Sequence, residues 1–489
     1  MNVARKGLLF LGAALAVSWS ATPSAGQTGP GASPAPGDTL HLTPSTAAES
    51  LLVAPIAEPG ERWTLTQAIQ TALQRNADVH VAHARTTQAS GSALSAWNGI
   101  LPSLITNLDY NYIKPSRSTQ IFTGEINPAD SAAIFGSEAS VRRTTFAATL
   151  SSNILSFPAI GEKQRQDHLH RGSELDESEA RNNAVFQVKQ QYFEVLKTVR
   201  LAEVARQTEQ LARDEQTRAE ALFQVGTVAR GDVLKARARR ANTTGDRIHA
   251  ENQIDIQSSR LRQIIGVSPG PRIIPEAVLD AGIVIPDSSE SIRQALATRP
   301  RLESAKAVEK AAHSGLTSAQ TLRLPKVSGS FGWLHERDQQ SFDNITGIAR
   351  SSLDFEQTTS EWQGNVRASL PIFEGFLIEG NVRQAKGALL EAEAQRRQRE
   401  LDVAVEVEQA WLNLRESVQQ IDVAREGLAS AEEDYKFSKG RYELGAGTYL
   451  DLLTAEVNLA NSKQTLISAV ANARIAEAGL EFAVGARQY

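Results

Sequence analysis

The chain has 489 residues and a formal net charge of -5, so it lacks the excess of basic residues that binding to nucleic acid requires. It contains no cysteine, which excludes disulfides, cysteine-based metal sites, thiol catalysis and a lipid anchor attached through cysteine. Ala, Gln, Glu and Arg are abundant, whereas aromatic residues are few. This composition favours long helices packed through small side chains over a large globular core.

Residues 1–26 have the features of a secretory signal peptide. Arg5 and Lys6 precede an apolar run over residues 7–17, and small residues follow it. The apolar run is shorter than the roughly 20 residues that a transmembrane helix needs, and no other segment of the sequence approaches that length. Residues 27–62 are rich in Pro, Gly, Ala and Ser, which predicts an extended or disordered linker.

An internal repeat organises the rest of the chain. Residues 72–102 match residues 295–325 without gaps at a constant offset of 223 positions, and residues 226–266 match residues 445–485 at an offset of 219. The predicted organisation is a first unit over 63–266, a connector over 267–290, a second unit over 291–485 and a C-terminal end over 486–489. Four prolines interrupt helices in the connector and leave room for one short strand.

Each unit is predicted to contain a helix, two strands and a very long helical hairpin. The first helices, over about 64–98 and 289–322, end before Pro102 and Pro325, because proline cannot donate the hydrogen bond that a continuing helix needs. Beyond each proline the apolar period changes from helical to two. The predicted strands, each about ten residues long, are 103–113, 143–155, 326–336 and 362–373.

The predicted strands have the length of a tilted membrane-spanning strand. The loops over 114–142 and 337–361 are long and polar, as extracellular loops of membrane barrels are. An amphipathic sheet over a soluble core would show the same alternation. Four strands are too few to close a membrane barrel, so a membrane role requires subunits to share one barrel. The residues predicted to face lipid are Leu108, Tyr110, Phe146, Leu150, Phe331, Trp333, Val366 and Leu370.

Two proline-free stretches, residues 159–222 and 376–441, are each about 65 residues long, or roughly 100 Å as helices. Apolar residues at seven-residue intervals predict coiled-coil packing. In the second stretch these residues are Val407, Leu414, Ile421, Leu428, Tyr435 and Tyr442. A glycine-containing turn, over 223–232 or 442–451, ends each stretch, and a helix of about 35 residues returns from it. A return helix stacked end to end on a first helix would match one long helix in height.

The two turn sequences, FQVGTVARGDVLKARARRAN and YELGAGTYLDLLTAEVNLANS, share an aromatic residue, a glycine and a later Asp–Val/Leu–Leu. On these paired motifs, the chain over about 63–485 resembles the TolC-like outer-membrane efflux family. The resemblance implies a mainly α-helical fold with a membrane β-barrel. In a homotrimer, four strands from each chain would form one 12-stranded barrel, continued across the periplasm by a long α-helical coiled-coil barrel.

The resemblance also implies a passive exit duct in the outer membrane, surrounded by outer-membrane lipid. The duct would belong to a tripartite efflux or type I secretion system and receive substrates from a periplasmic adaptor protein and an inner-membrane pump. It implies no enzyme activity, catalytic residue, cofactor or metal, and the sequence has no phosphate-binding loop or nucleophile elbow. The alternative is a periplasmic or secreted coiled-coil scaffold without a pore, which the signal peptide and the strands disfavour.

In the family, the glycine turns form the periplasmic tip that contacts the adaptor. The matching residues are Val225, Gly226, Thr227, Leu444, Gly445 and Ala446. Small residues there leave grooves between helix ends into which adaptor backbone can settle. The alternative is that these residues serve only the turns, which glycine permits.

The family also narrows its tunnel near this tip with acidic residues, and Asp232 and Asp451 occupy the matching positions. A ring of carboxylates would favour cations, as charged rings do in other pores. Each aspartate also follows a turn and begins a helix, so helix N-capping is an alternative that is compatible with a constriction. Thr454 stands where the family can have a second acid, and Gly447 where it can have a gate arginine. These departures argue against a tightly latched, strongly acidic gate.

Overall fold

The computed structural model describes Leu52 and residues 59–114, 137–279, 282–344 and 352–485. The predicted signal peptide over 1–26 and the C-terminal end over 486–489 lie outside the described residues, as does most of the predicted linker over 27–62. None of the helices in the described ranges has both the length and the apolar character that crossing a lipid bilayer requires.

From the first α-helix onward, the two repeats contain the same α-helices and long strands in the same order. The first comprises β1 (Glu61–Trp63), α1 (Leu65–Arg75), α2 (Ala77–Ser95), β2 (Ser103–Ile113), β3 (Ser137–Leu155), α3 (Phe157–Gln224) and α4 (Arg230–Ile265). The second follows the strand β4 (Ile273–Pro275) and comprises α5 (Ser288–Thr298), α6 (Pro300–Thr321), β5 (Lys326–Asn344), β6 (Ser352–Ser369), α7 (Leu377–Glu443) and α8 (Tyr449–Val484). The predicted succession of a helical segment, two strands and a helical hairpin is confirmed in both halves.

The first helical segment of each repeat is broken, where the sequence predicted one continuous helix. Asn76 adopts an extended conformation and its Oδ1 accepts hydrogen bonds from the N–H groups of Asp78, at 2.8 Å, and Val79, at 3.3 Å. It therefore ends α1 and caps α2. Arg299 has the same extended conformation before Pro300, because proline disfavours the helical conformation in the residue that precedes it. The prediction of one continuous first helix in each repeat was wrong, because the backbone is extended at Asn76 and at Arg299.

The four long strands form one antiparallel sheet in the order β2-β3-β5-β6. β3 and β5 have 19 residues each and β6 has 18, so these strands extend well into the segments predicted as the loops 114–142 and 337–361. The prediction followed apolar alternation, which stops where the side chains become polar. The backbone ladder continues past that point because strand pairing needs only N–H and C=O groups, and the ion pair of Arg143 with Asp338, at 2.7 Å, supports it across β3 and β5.

The long helices α3 and α7, of 68 and 67 residues, run the length of the helical part. The return helix of each repeat ends at the break in that repeat's first segment. Asn76 Nδ2 donates a hydrogen bond to the Ile264 carbonyl at 2.8 Å, and the Arg299 guanidinium donates to the equivalent carbonyl of Ala483. A return helix and a broken first segment thus meet end to end beside one long helix, as the lengths predicted.

The core lies where the two repeats meet along α3. Val188, Tyr192 and Val195 of α3 are fully buried. They belong to one cluster with apolar side chains of α4, α7 and α8, among them Ile254, Leu261, Ile421, Leu428, Leu466 and Val470. The predicted seven-residue seam of α7 is confirmed, since Val407, Leu414, Ile421 and Leu428 are each at most 2% exposed.

A small parallel sheet ties the start of the first repeat to the connector. Glu61, at the end of the predicted linker, pairs with Ile273, and Trp63 pairs with Pro275. The Tyr192 hydroxyl of α3 donates a hydrogen bond to the Trp63 carbonyl at 3.0 Å. The short strand allowed for in the connector is therefore present, and it is anchored on the middle of α3.

Gly266 should be essential at the end of α4, whereas Gly245 in the middle of the same helix should be replaceable. Gly266 has φ of +78°, and a Cβ there would lie 2.7 Å from the Arg75 carbonyl carbon. Gly266→Ala should lower the free energy of unfolding by about 2 kcal/mol or more. Gly245 has open space around it, so Gly245→Ala should raise stability by about 0.5–1 kcal/mol. Denaturant unfolding of the purified protein measures both, and an equal effect of the two changes would contradict the junction described above.

Candidate functional site

One face of the four-stranded sheet carries the apolar residues. Residues paired directly across antiparallel strands place their side chains on the same face. Leu108 pairs with Phe146, and Leu150 with Phe331, so strand register links the separate apolar patterns. The apolar sheet face, as defined by this register, contains Leu108, Tyr110, Phe146, Leu150, Phe331, Trp333 and Val366. Leu370, the remaining residue predicted to face lipid, follows the last residue of β6 and lies outside the sheet.

Aromatic rings cluster on the apolar sheet face. Trp333 contacts Phe146 edge to face at a centroid distance of 5.7 Å and Trp362 at 6.3 Å, while Phe331 stacks on Trp362 at 5.3 Å. Leu108 and Val366 are 71% and 75% exposed. Apolar area of this extent is unfavourable in water and calls for an apolar neighbour outside the chain.

The opposite face, called the polar sheet face, carries mainly polar and charged side chains, among them the ion pair of Arg143 with Asp338. At the end of the sheet nearest the helices, it forms a recess of about 420 Å³. The recess is lined chiefly by Asn98, Ser103, Ser151, Asn153, Ser330, Asn365 and Arg367. Sequence reasoning recognised the polar alternation but did not single out these residues as a site. The sequence signal that could have identified them was serine or asparagine at every second position. These residues form one surface only when the strands pair in the observed register.

The predicted tip residues of the two repeats lie next to each other. Gly226 has φ of +79° and Gly445 has φ of +71°, each just after the end of its long helix. The Thr227 N–H donates to the Leu222 carbonyl at 3.0 Å and the Ala446 N–H to the Arg441 carbonyl at 2.8 Å. These backbone bonds satisfy the last carbonyls of α3 and α7.

Both turns present their side chains to solvent. Val225 is 72% and Leu444 is 86% exposed, and the other tip residues are exposed as well. The ion pair of Arg218 in α3 with Glu443 in α7, at 3.1 Å, holds the two helix ends together. The structure therefore joins two turns that are far apart in the sequence into one exposed tip.

Asp232 and Asp451 lie in the first turns of the return helices, close to the tip. Neither is the N-cap residue: Ala229 precedes α4 and Thr448 precedes α8, so the N-cap alternative for the aspartates was wrong by three positions. Asp451 instead completes a capping box, accepting from the Thr448 N–H at 3.1 Å while its own N–H donates to Thr448 Oγ1 at 3.2 Å. The Thr448 N–H lowers the pKa of Asp451, which favours the carboxylate. Asp232 faces Lys235 at 3.2 Å.

Comparisons with known proteins agree with this architecture. Outer membrane protein TolC of Escherichia coli is 25% identical over 268 residues, which are 54% of this chain and 53% of that protein. Protein CyaE of Bordetella pertussis is 25% identical over 355 residues, 71% of this chain and 72% of that protein. The match to TolC thus spans about half the length of that relative. The solved structure of CusC, described as forming a transmembrane channel, superposes with a TM-score of 0.69 at 18% identity, covering 86% of this chain and 92% of CusC.

The superposition defines the fold as that of the CusC channel, so the predicted fold class is confirmed. The model of the outer membrane efflux protein family matches residues 68–267 and 291–486. The chain belongs to the outer membrane efflux protein family, as the paired turn motifs predicted, and it is an outer-membrane protein.

Proposed function

We propose that the protein is a passive exit duct of a tripartite efflux or type I secretion system. Three copies would close one barrel through their sheets, and their helices would form the tunnel across the periplasm. The sheet faces carry this proposal: one face is apolar and exposed, and the other carries mainly polar and charged side chains. A lipid-facing exterior and a water-filled interior need this distribution.

The edges of the sheet support the sharing of one barrel. β2 and β6 are the edge strands, and within the described residues each pairs on one side only. Unpaired strand edges cannot lie in lipid, because their N–H and C=O groups would lack hydrogen-bond partners. Pairing β2 of one copy with β6 of the next would remove all edges at three copies and twelve strands. The alternative function, a coiled-coil scaffold without a pore, does not explain why the apolar sheet face is exposed.

In this arrangement each unit, 63–266 and 291–485, supplies two strands and one half of a chain's share of the tunnel wall. The tip residues would contact a periplasmic adaptor, which joins the duct to an inner-membrane pump. The exposure of Val225 and Leu444 beside glycine turns supports this contact.

Asp232 and Asp451 would narrow the tunnel above the tip. Transport through such a duct needs no catalytic residue, cofactor or metal, and we propose no enzyme activity.

Single cysteines on the two sheet faces test the barrel, because the natural chain has no cysteine. Leu150 lies on the apolar sheet face and its neighbour Thr149 on the polar sheet face, and both are exposed in the chain. In native membranes a charged, water-soluble maleimide should label Thr149→Cys and leave Leu150→Cys largely unlabelled, since lipid would cover that position. Detergent denaturation should restore equal labelling. Rapid labelling of Leu150→Cys in membranes would exclude the lipid-facing sheet and the duct with it.

Ion selectivity tests the proposed constriction. Purified protein in a planar bilayer should form discrete channels that prefer K⁺ over Cl⁻, because carboxylate rings attract cations. The double change Asp232→Asn and Asp451→Asn should shift the reversal potential in a salt gradient toward zero. Asparagine keeps a side-chain carbonyl as acceptor, so the capping box of α8 should survive. Asp434→Asn, on an exposed part of α7, serves as the control and should leave selectivity unchanged. If the double change left the ion selectivity of the channels unaltered, the proposed constriction would be refuted, whereas the proposed duct would not.

Photo-crosslinking in the native cell tests the adaptor contact. A photoreactive amino acid at Val225 or Leu444 should yield an adduct that mass spectrometry identifies as a periplasmic adaptor protein. The same amino acid at Val423, which is 71% exposed but lies on α7 away from the turns, should yield none. Adducts from Val423 alone, or none from either tip position, would contradict adaptor binding at the tip.

A further inference from the structure

Close to the tip, buried polar atoms from three helices converge without hydrogen-bond partners among the described residues. They are Glu215 Oε2 on α3, Arg239 Nε on α4, and Tyr449 Oη and Glu456 Oε1 on α8. Glu456 lies about 12 Å along α8 from its N-cap and is 4% exposed. Buried polar groups are nearly always paired, so their concentration at one point indicates that something besides packing acts there.

The centre of this group is a pair of carboxyl groups. Glu215 and Glu456 lie within hydrogen-bonding reach of each other. As two carboxylates they have only acceptors, and neither can satisfy the other. A single proton placed on one of them turns it into a donor and creates the missing hydrogen bond between α3 and α8.

The charged and titratable groups around the pair come from all four neighbouring helices. Arg239 of α4 and Lys439 of α7 favour the carboxylate form of Glu456. Burial opposes them more strongly, and with the adjacent Glu215 carboxyl it raises the pKa of Glu456 to about 9. The hydroxyls of Tyr435, Tyr442 and Tyr449 also lie near the pair, and burial raises the pKa of each, so they stay neutral.

The first repeat has no carboxyl group at the position equivalent to Glu456. Position 237 corresponds to Glu456 at the offset of 219, and there Arg237 forms an ion pair with Glu220 at 2.8 Å. That pair is solvent-accessible and of opposite charge. The first repeat thus has a solvent-accessible ion pair at the position where the second repeat has Glu456, which is buried beside Glu215 of the first repeat.

We propose that Glu215 and Glu456 share one proton that fastens α8 to α3 near the tip, and that separation of the two helices releases this proton. The tip of the molecule is then a proton-linked clasp between the two repeats. If the tip is the entrance of the duct, the proton controls how readily the entrance opens, a consequence that rests on the proposed function.

The sign of the pH dependence follows from the two states. In the closed state the pair holds its proton up to about pH 9. In the opened state water surrounds the carboxyl of Glu456, and its pKa returns to about 4.3. Between these limits opening releases one proton, so the opening constant should rise about tenfold for each unit of increasing pH. Below about pH 4.3 the contribution of Glu456 to this dependence should vanish, because Glu456 is then protonated in both states.

Hydrogen exchange of the purified full-length protein measures this opening directly. Peptides from residues 205–224 and 449–465 should be followed at about pH 6 and about pH 8, with rates corrected for intrinsic exchange. The expected result is protection that falls by about tenfold per pH unit at both peptides. In Glu456→Gln the amide permanently supplies the donor, so protection should be independent of pH. Glu433→Gln, an exposed position of α7, is the matched control and should behave as the natural protein does.

Infrared spectroscopy provides a second readout that does not depend on the variants. At about pH 7 the natural protein should show the carbonyl stretch of a buried protonated carboxylic acid, and Glu456→Gln should lose it. Absence of that band, protection that does not change with pH, or a slope that persists in Glu456→Gln would each overturn the proposal. Neither measurement requires ion conduction, so a protein that failed to form channels could still have the clasp, and a conducting protein could lack it.

Discussion

The helical part depends on two junctions, each between a return helix and a broken first segment. Asn76 in the first repeat and Arg299 in the second donate to the last carbonyls of α4 and α8. Arg299 is 1% exposed and also pairs with Glu179 of α3 at 3.0 Å and with Glu406 of α7 at 3.3 Å. A buried arginine is tolerated only when its charge and its donors are satisfied. The junctions let two short helices match one of nearly 70 residues, which sets the height of the wall between sheet and tip.

Within the described residues, the edge strands β2 and β6 of the sheet at the other end each pair on one side only. Its two edges and its apolar face each leave a physical requirement unmet, since backbone groups need partners and exposed apolar area needs an apolar neighbour. In the proposed trimer, lipid and further copies of the chain would satisfy both requirements together. The polar sheet face needs neither, because water can satisfy its hydroxyl and amide groups. In that proposal, the same four strands would account both for insertion into the membrane and for assembly of the trimer.

The tip shows how two similar repeats can have different chemistry. Thr448 caps α8 and forms a capping box with Asp451, whereas Ala229 at the same position of α4 offers no side-chain hydrogen bond. Glu456 faces a second carboxyl where the first repeat has an ion pair at Arg237. Both differences lie in the return helix of the second repeat, which has a capping box at its start and a buried carboxyl beside Glu215 of the first repeat. The backbone scaffold is shared, and the side chains make its two halves energetically unequal.

The sequence by itself determined the repeat, the helical hairpins, the glycine turns and the two faces of the sheet, because these depend on residue spacing and on local backbone preferences. The break at Arg299 could also have been predicted from the sequence, because Pro300 disfavours a helical conformation in the residue before it. The apolar pattern nevertheless led to the prediction of one continuous helix. Only the tertiary structure decided how far β3 and β5 extend, because their backbones remain paired beyond the residues that show the apolar alternation. It alone brought Glu215 to Glu456, because burial and the approach of like charges are properties of packed helices and leave no trace in the spacing of residues.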